Sequence, residues 1–234
     1  QDGFAFASGE DVVYEGEYVI DGYGRVQTPF YNSIGISNSH HGELLDFYYI
    51  DGQRSIVNKS EIVAQDGGRV LISAVTGQEQ GGSIVSRGGD SSVTLDAPIY
   101  GGFIVSEEGG EIFATERASF SDLTIRGDVV ADEGTAIQLN NYFSLEGEFV
   151  GSLESSLDRS FDRPGALRLN GGESKFGVEQ NPRELTLGSS FEMSGWGIFG
   201  GSIVNHSLIS ANKYESVLRL QWGDLENYGV VQSV

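Results

Sequence analysis

Apolar residues along this chain come in runs of three to five with period-two character, as in Val93-Thr94-Leu95, Ile112-Phe113-Ala114, Leu123-Thr124-Ile125, Ala136-Ile137-Gln138-Leu139 and Leu185-Thr186-Leu187. Gly, Asp, Asn or Ser flanks the runs. Alternation over so few residues, closed by turn formers, predicts β-strands; the runs are too short for helices and no 3.6-residue apolar period persists.

Short strands every seven or eight residues or so fit either an antiparallel sandwich or barrel, or a parallel solenoid in which equivalent positions stack coil on coil. Internal repeats decide between them. "SIVNKSEIVA" (55 to 64) and "SIVNHSLISA" (202 to 211) share seven of ten positions, and "ENYGVVQSV" (226 to 234) falls in the same frame. Each gives Asn, a variable residue, a small residue and a β-rich run. A second marker is the doublet Gly81-Gly82, which recurs as Gly101-Gly102, 20 residues on, and as Gly200-Gly201. Self-similarity at this period selects the solenoid. The chain therefore reads as all-β, with coils of roughly 20–26 residues. Alternate Ile, Val, Leu and Phe point inward, and Asn58, Asn205 and Asn227 are expected to form a hydrogen-bonded ladder at one corner. Their neighbours Lys59, His206 and Tyr228 share no chemistry, as suits an outward-facing slot.

These strings resemble the "I-x-N-x-G-x-I-x-A … L-x-L-x-G-x-x-x-N-x-G" repeats of large bacterial surface and secreted proteins, the filamentous adhesins and autotransporter passenger domains. The likeness is clearest over 55–115 and 177–234, weaker over 121–176 and poor over 1–54. It implies a right-handed parallel β-helix, an extracellular or cell-surface location, and adhesion, display or self-assembly; a minority of that class acts on polysaccharides. Such degenerate motifs specify fold far better than function.

Residues 1–54 depart from the pattern and are dense in aromatics, including Phe4, Phe6, Tyr14, Tyr18, Tyr23, Phe30, Tyr31, Phe47, Tyr48 and Tyr49. They are expected to form irregular first coils and a cap, since an open solenoid end is a templating edge. An aromatic sugar platform is the alternative use. Residues 55–234 are expected to continue as one solenoid domain, with a longer loop-bearing unit at 144–176. "ENYGVVQSV" stops without a polar cap, so either a longer repeat protein continues it or another subunit completes the coil. Phe4, Phe6, Tyr228, Val230, Val231 and Val234 are the candidate self-assembly ends.

Composition adds exclusions. Thirty-four Gly against four Pro, with 13 Phe and 10 Tyr, suit a chain of turns and strands, and 38% hydrophobic residues supply a core. The net charge of −20, from 34 acidic and 14 basic residues, argues against nucleic acid or an anionic membrane as partner. No apolar run long enough for a membrane span occurs, so no membrane insertion is expected. With no cysteine there is neither a disulfide framework nor a Cys-based zinc site. Calcium would suit so many carboxylates, but neither the EF-hand spacing nor the calcium-binding nonapeptide is present, so no metal residue is named and no cofactor is expected.

The candidate chemistry is sparse. Glu107-Glu108 and Asp132-Glu133 would point to opposite faces of a strand, and Asp158 with Asp162 lies in the long unit. Arg159, Arg163 and Arg168 are expected to pair with their neighbours Asp158, Asp162 and Glu173. His40-His41 is a poor metal site, having no evident third ligand. No GxSxG, HExxH, Walker A or GxGxxG motif occurs. The chain is therefore expected to be a non-enzymatic structural or adhesive module whose partner is itself, a surface glycan or a protein. A polysaccharide-active groove remains the alternative, and three or more carboxylates stacked on one face would favour it.

Overall fold

A computed structural model of the chain describes residues 12–14, 20–27, 30–48, 56–79, 81–132, 136–155, 159–176, 184–211, 217–221 and 223–233. Every regular element among them is a β-strand, and every strand pairing is parallel. The chain passes from a first face to a second and a third, then starts the next coil. Ile56–Asn58, Glu61–Gln65 and Arg69–Ile72 form one such coil. Thr76–Gln78, Ser83–Arg87 and Ser92–Leu95 form the next, each strand pairing with the one directly below it. This is a β-solenoid, as the repeats predict.

Coil length varies. Paired positions are 20 residues apart at Asn58 and Gln78, 22 at Asn205 and Asn227 and 26 at Asn32 and Asn58. Some steps fall below the expected range, as between Met193 and Ile209, which pair only 16 residues apart. The reason is local: Phe191–Gly200 bends round a corner at Gly195 (φ 105°) without a loop, and Gly201 alone separates it from Ser202–Asn205.

Period-two alternation puts every second side chain in the core. Ile36, Ile62, Ile84, Ile104, Ile125 and Leu145 form one inward row on the second face. Val70, Val93 and Ile112 form one on the third, and Val129, Phe149, Leu167, Met193 and Ile209 continue it. Each such side chain contributes about 1.5–3 kcal/mol on burial, so stacking is the main stabilising term. In the C-terminal half aromatic stacking takes over, with Phe176 on Phe199 at 5.1 Å and Phe161 on Phe191 at 4.8 Å between ring centroids.

Strands between 12 and 47 lie on the same three faces. Val12–Tyr14 pairs with Phe30–Asn32, Ile20–Asp21 with Ile36–Asn38, and Gly24–Val26 with Leu44–Phe47. The unit at 144–176 likewise supplies coil strands, Glu148–Val150, Ser152–Ser155, Arg159–Phe161 and Gly165–Phe176. Here the second face breaks. Residues 143–146 pair with 123–126 below, and Arg159–Phe161 pairs with 185–187 above, but among the described residues no backbone pairing joins the two. A cleft of about 120 Å³, lined by residues including Tyr142, Ser144, Ser160, Asp162 and Arg163, opens between them.

Candidate functional site

The corners carry the recurring asparagines. Asn32, Asn58 and Gln78 stack where the first face meets the second: Asn32 Nδ2 donates to Asn58 Oδ1 at 2.7 Å, and Asn58 Nδ2 to Gln78 Oε1 at 3.4 Å. Asn205 and Asn227 stack elsewhere. Their strands belong to the second face and lead into Leu208–Ala211 and Val230–Ser233 of the third. The expected single ladder of Asn58, Asn205 and Asn227 is therefore two ladders at two corners, with Asn58 apart from the other pair.

The physical reason is the turn itself. Asn205 Oδ1 accepts the Ser207 N–H at 2.9 Å, Asn58 Oδ1 that of Ser60 at 3.4 Å, and Asn38 Oδ1 that of His40 at 3.1 Å. Each is a side-chain turn onto the amide two residues on. Any corner can use it, so the motif reports a turn and not which turn. All three asparagines are fully buried, and each Nδ2 also has a partner, so these are structural groups.

The histidine pair diverges. His40 packs edge-on against Tyr23 with ring centroids 5.1 Å apart, and its Nε2 lies 3.6 Å from Asp21 Oδ2. Asp21 accepts hydrogen bonds from Ser37 Oγ, Ser39 N and Ser39 Oγ. Partial burial pushes the Asp21 carboxyl up, but the bonds from Ser39 and Ser37 and the His40 charge outweigh it, leaving the pKa below its ordinary value. Ser39, His40 and Asp21 do not make a nucleophilic triad. The Ser39 hydroxyl proton goes to the carboxylate and not to an imidazole base, so nothing activates the oxygen.

Among the described residues the basic side chains that form ion pairs form them between coils. Arg87 bridges to Glu107, Arg168 Nη2 to Glu148 Oε1 at 2.8 Å, and both Arg126 and Arg163 to Glu146. The expected Arg163–Asp162 pair is replaced because residues about one coil apart face each other on a parallel ladder, and the side chain of Glu173, the expected partner of Arg168, lies outside the described ones. Arg126 also lies over the Phe103 ring at 4.2 Å. Arg87's pKa is raised, chiefly by its hydrogen bond to Glu107. The side chain of Arg159 and residues Glu133 and Asp158 lie outside the described ones.

One acidic row does form. Register places Glu111, Asp128 and Glu148 on successive coils at the leading edge of the third face. Asp128 Oδ1 accepts the Glu148 N–H at 3.1 Å. Glu148 is held by Arg168, whereas Glu111 and Asp128 flank a surface groove of about 220 Å³ floored by Ile112, Phe113 and Val130. Among the described residues no group of three or more His, Cys, Asp or Glu is arranged to hold a metal ion. No helix there is long and apolar enough to cross a membrane.

The last coil is the most exposed apolar region. Tyr228, Val230 and Val231 are 68%, 53% and 47% exposed, and Tyr228 stacks on His206 at 5.0 Å. Ile209, Ala211, Leu218, Leu220 and Val231 line a groove of about 310 Å³ there. Phe4, Phe6 and Val234 lie outside the described residues. Sequence reasoning missed the acidic row and its groove, whose members are about 20 residues apart; only the coil register brings them together.

No known protein family, curated protein or solved structure matches this chain.

Proposed function

We propose that the chain is a non-enzymatic structural and adhesive module, displayed outside the cell, that stacks end to end with copies of itself. The observation that carries this reading is the outer edge of the last coil. Leu218–Gln221, Leu225–Asn227 and Val230–Ser233 each have a paired strand on one side only among the described residues. Leu220, Leu225, Val230 and Val231 are exposed along that edge. Val12–Tyr14, Ile20–Asp21 and Gly24–Val26 occupy the same three faces and likewise have one paired neighbour each. Stacking one set on the other continues every ladder, a head-to-tail contact that propagates as a fibre. The likeness of the repeat strings to filamentous adhesins supports display outside the cell.

Sedimentation velocity and negative-stain imaging of the 234-residue chain across a concentration series test it. The expected result is a growing population of linear oligomers that the V230K/V231K double variant abolishes. A chain that stays monomeric at every concentration sinks the stacking.

A polysaccharide-active groove is the second reading, favoured by the stacked row Glu111, Asp128 and Glu148. The backbones of adjacent coils lie about 4.8 Å apart, a spacing from which carboxylates on neighbouring coils can reach the separation of about 5–5.5 Å that retaining hydrolysis uses. Against it, Arg168 ties up Glu148 and the groove floor is apolar. Release of reducing ends from acidic polysaccharides, lost in Glu111→Gln, would establish this reading over the first.

A further inference from the structure

We propose that the outward side of the third face, centred on Phe113 and Val130, docks a basic amphipathic helix of a partner protein. This names a partner for the adhesive module and uses a surface separate from the stacking end.

On the third face the residues that alternate with the core form one continuous outward row: Leu71, Thr94, Phe113, Val130 and Val150 pair in sequence from coil to coil. Four of the five are apolar. All five reach the surface, and Val130 is 38% exposed. At about 4.8 Å per coil the row runs about 19 Å, the length of a helix of about 13 residues. Charged groups close it at both ends: Asp46 and Arg25 continue the column below Leu71, and Arg168 above Val150.

The row is bordered by acid at its centre, beside Phe113 and Val130, and by Arg69 and Ser92 beside Leu71 and Thr94. Glu111 and Asp128 line the groove beside Phe113 and Val130, and neither has an ion-pair partner among the described residues. An apolar stripe edged by carboxylates that have no ion pair among the described residues fits a helix whose apolar face is flanked by Lys or Arg. A second copy of this chain fits poorly. Among residues whose side chains are described, only Arg69 and Arg219 lack an ion pair with the chain's own acids, and each copy carries a net charge of −20. Charge complementarity therefore favours another protein as the source of the cations.

The probe is a fluorescein-labelled Leu/Lys amphipathic peptide about 14 residues long, titrated with the 234-residue chain and read by fluorescence anisotropy at near-physiological salt. Saturable binding is expected. F113S/V130T, which leaves the charge unchanged, is expected to weaken it by about tenfold or more, and E111Q/D128N by a similar factor. E61Q/E116Q removes the same charge elsewhere and is expected to leave binding intact. Circular dichroism melts establish that each variant is folded. Absence of saturable binding overturns the proposal. So does an equal loss in both charge variants with none in F113S/V130T, which would mean that net charge alone attracts the peptide. V230K/V231K is expected to bind the peptide normally, so failure here and failure of end-to-end stacking give different results.

Discussion

Asn205 Nδ2 donates to Asn227 Oδ1 at 2.7 Å, one coil on, while Asn205 Oδ1 accepts both the N–H and the Oγ–H of Ser207. One buried amide thus links two coils and closes a corner. Asn205→Ala would leave the Ser207 N–H and hydroxyl without their acceptor in a buried position, at a cost of about 2 kcal/mol. Asn58→Ala is expected to cost a similar amount, because Asn58 Nδ2 donates to Ser83 O as well. If the two ladders are separate, the double variant should lose the sum of the two within about 0.5 kcal/mol. Urea denaturation of the two single variants and the double checks this; marked non-additivity would show that the corners are coupled.

The doublet Gly81-Gly82 is glycine for two different reasons. Gly81 has φ +89° with open space where a Cβ would lie, whereas a Cβ on Gly82 would sit 2.2 Å from the backbone oxygen of Asn58. Gly81→Ala meets only the left-handed backbone penalty, about 1–2 kcal/mol. Gly82→Ala forces two coils apart at a corner whose ladder tolerates no such shift, so it is expected to cost more. Thermal melts of the two variants should rank Gly82→Ala as the less stable.

The strands, their parallel stacking and the glycine corner were legible because period-two alternation and repeats of about one coil are local signals. Which corner an asparagine occupies was harder to read. Ile56–Asn58 lies on the first face and Ser202–Asn205 on the second, yet the turn chemistry after each is the same. A discriminating sign was present: Gly200-Gly201 precedes the second copy, just as Gly81-Gly82 precedes Ser83–Arg87 on that same face, and no doublet precedes Ile56. The Arg168–Glu148 pair and the groove at Phe113 and Val130 were not legible, since both depend on coil lengths that vary from step to step.

Asp21 gives the fold a dependence on acid. Its folded pKa lies below the ordinary value, so its ionised form is favoured in the native state. The stability it contributes is complete above the ordinary aspartate pKa and is lost as pH falls through the lower, folded one. The stability difference between wild type and Asp21→Asn should therefore shrink as pH falls below about pH 4. Urea unfolding at a series of pH values measures it. A difference that grows as pH falls below about pH 4 would reverse the sign and remove Asp21 from the account.

The coil that begins at Ser152 is tied less well than its neighbours. Among the described residues its second-face strand, Arg159–Phe161, pairs only with the coil above, and its first-face strand, Ser152–Ser155, meets the coil above where Leu153 pairs with Phe176. Ser83–Arg87, by contrast, pairs along its whole length on both sides. Local opening draws on regions with few protected backbone bonds, so this coil is expected to open before the solenoid unfolds as a whole. Amide hydrogen exchange should show residues 143–146 and Arg159–Phe161 exchanging faster than Ser83–Arg87 and Phe103–Glu107 on the same face. Phe161 is the side chain that limits the opening, because its ring contacts Phe143, Phe176 and Phe191. Phe161→Leu should accelerate exchange on both sides of the break while leaving Ser83–Arg87 unchanged. Uniform acceleration along the chain would mean that the coils open as one unit and that the break has no mechanical consequence.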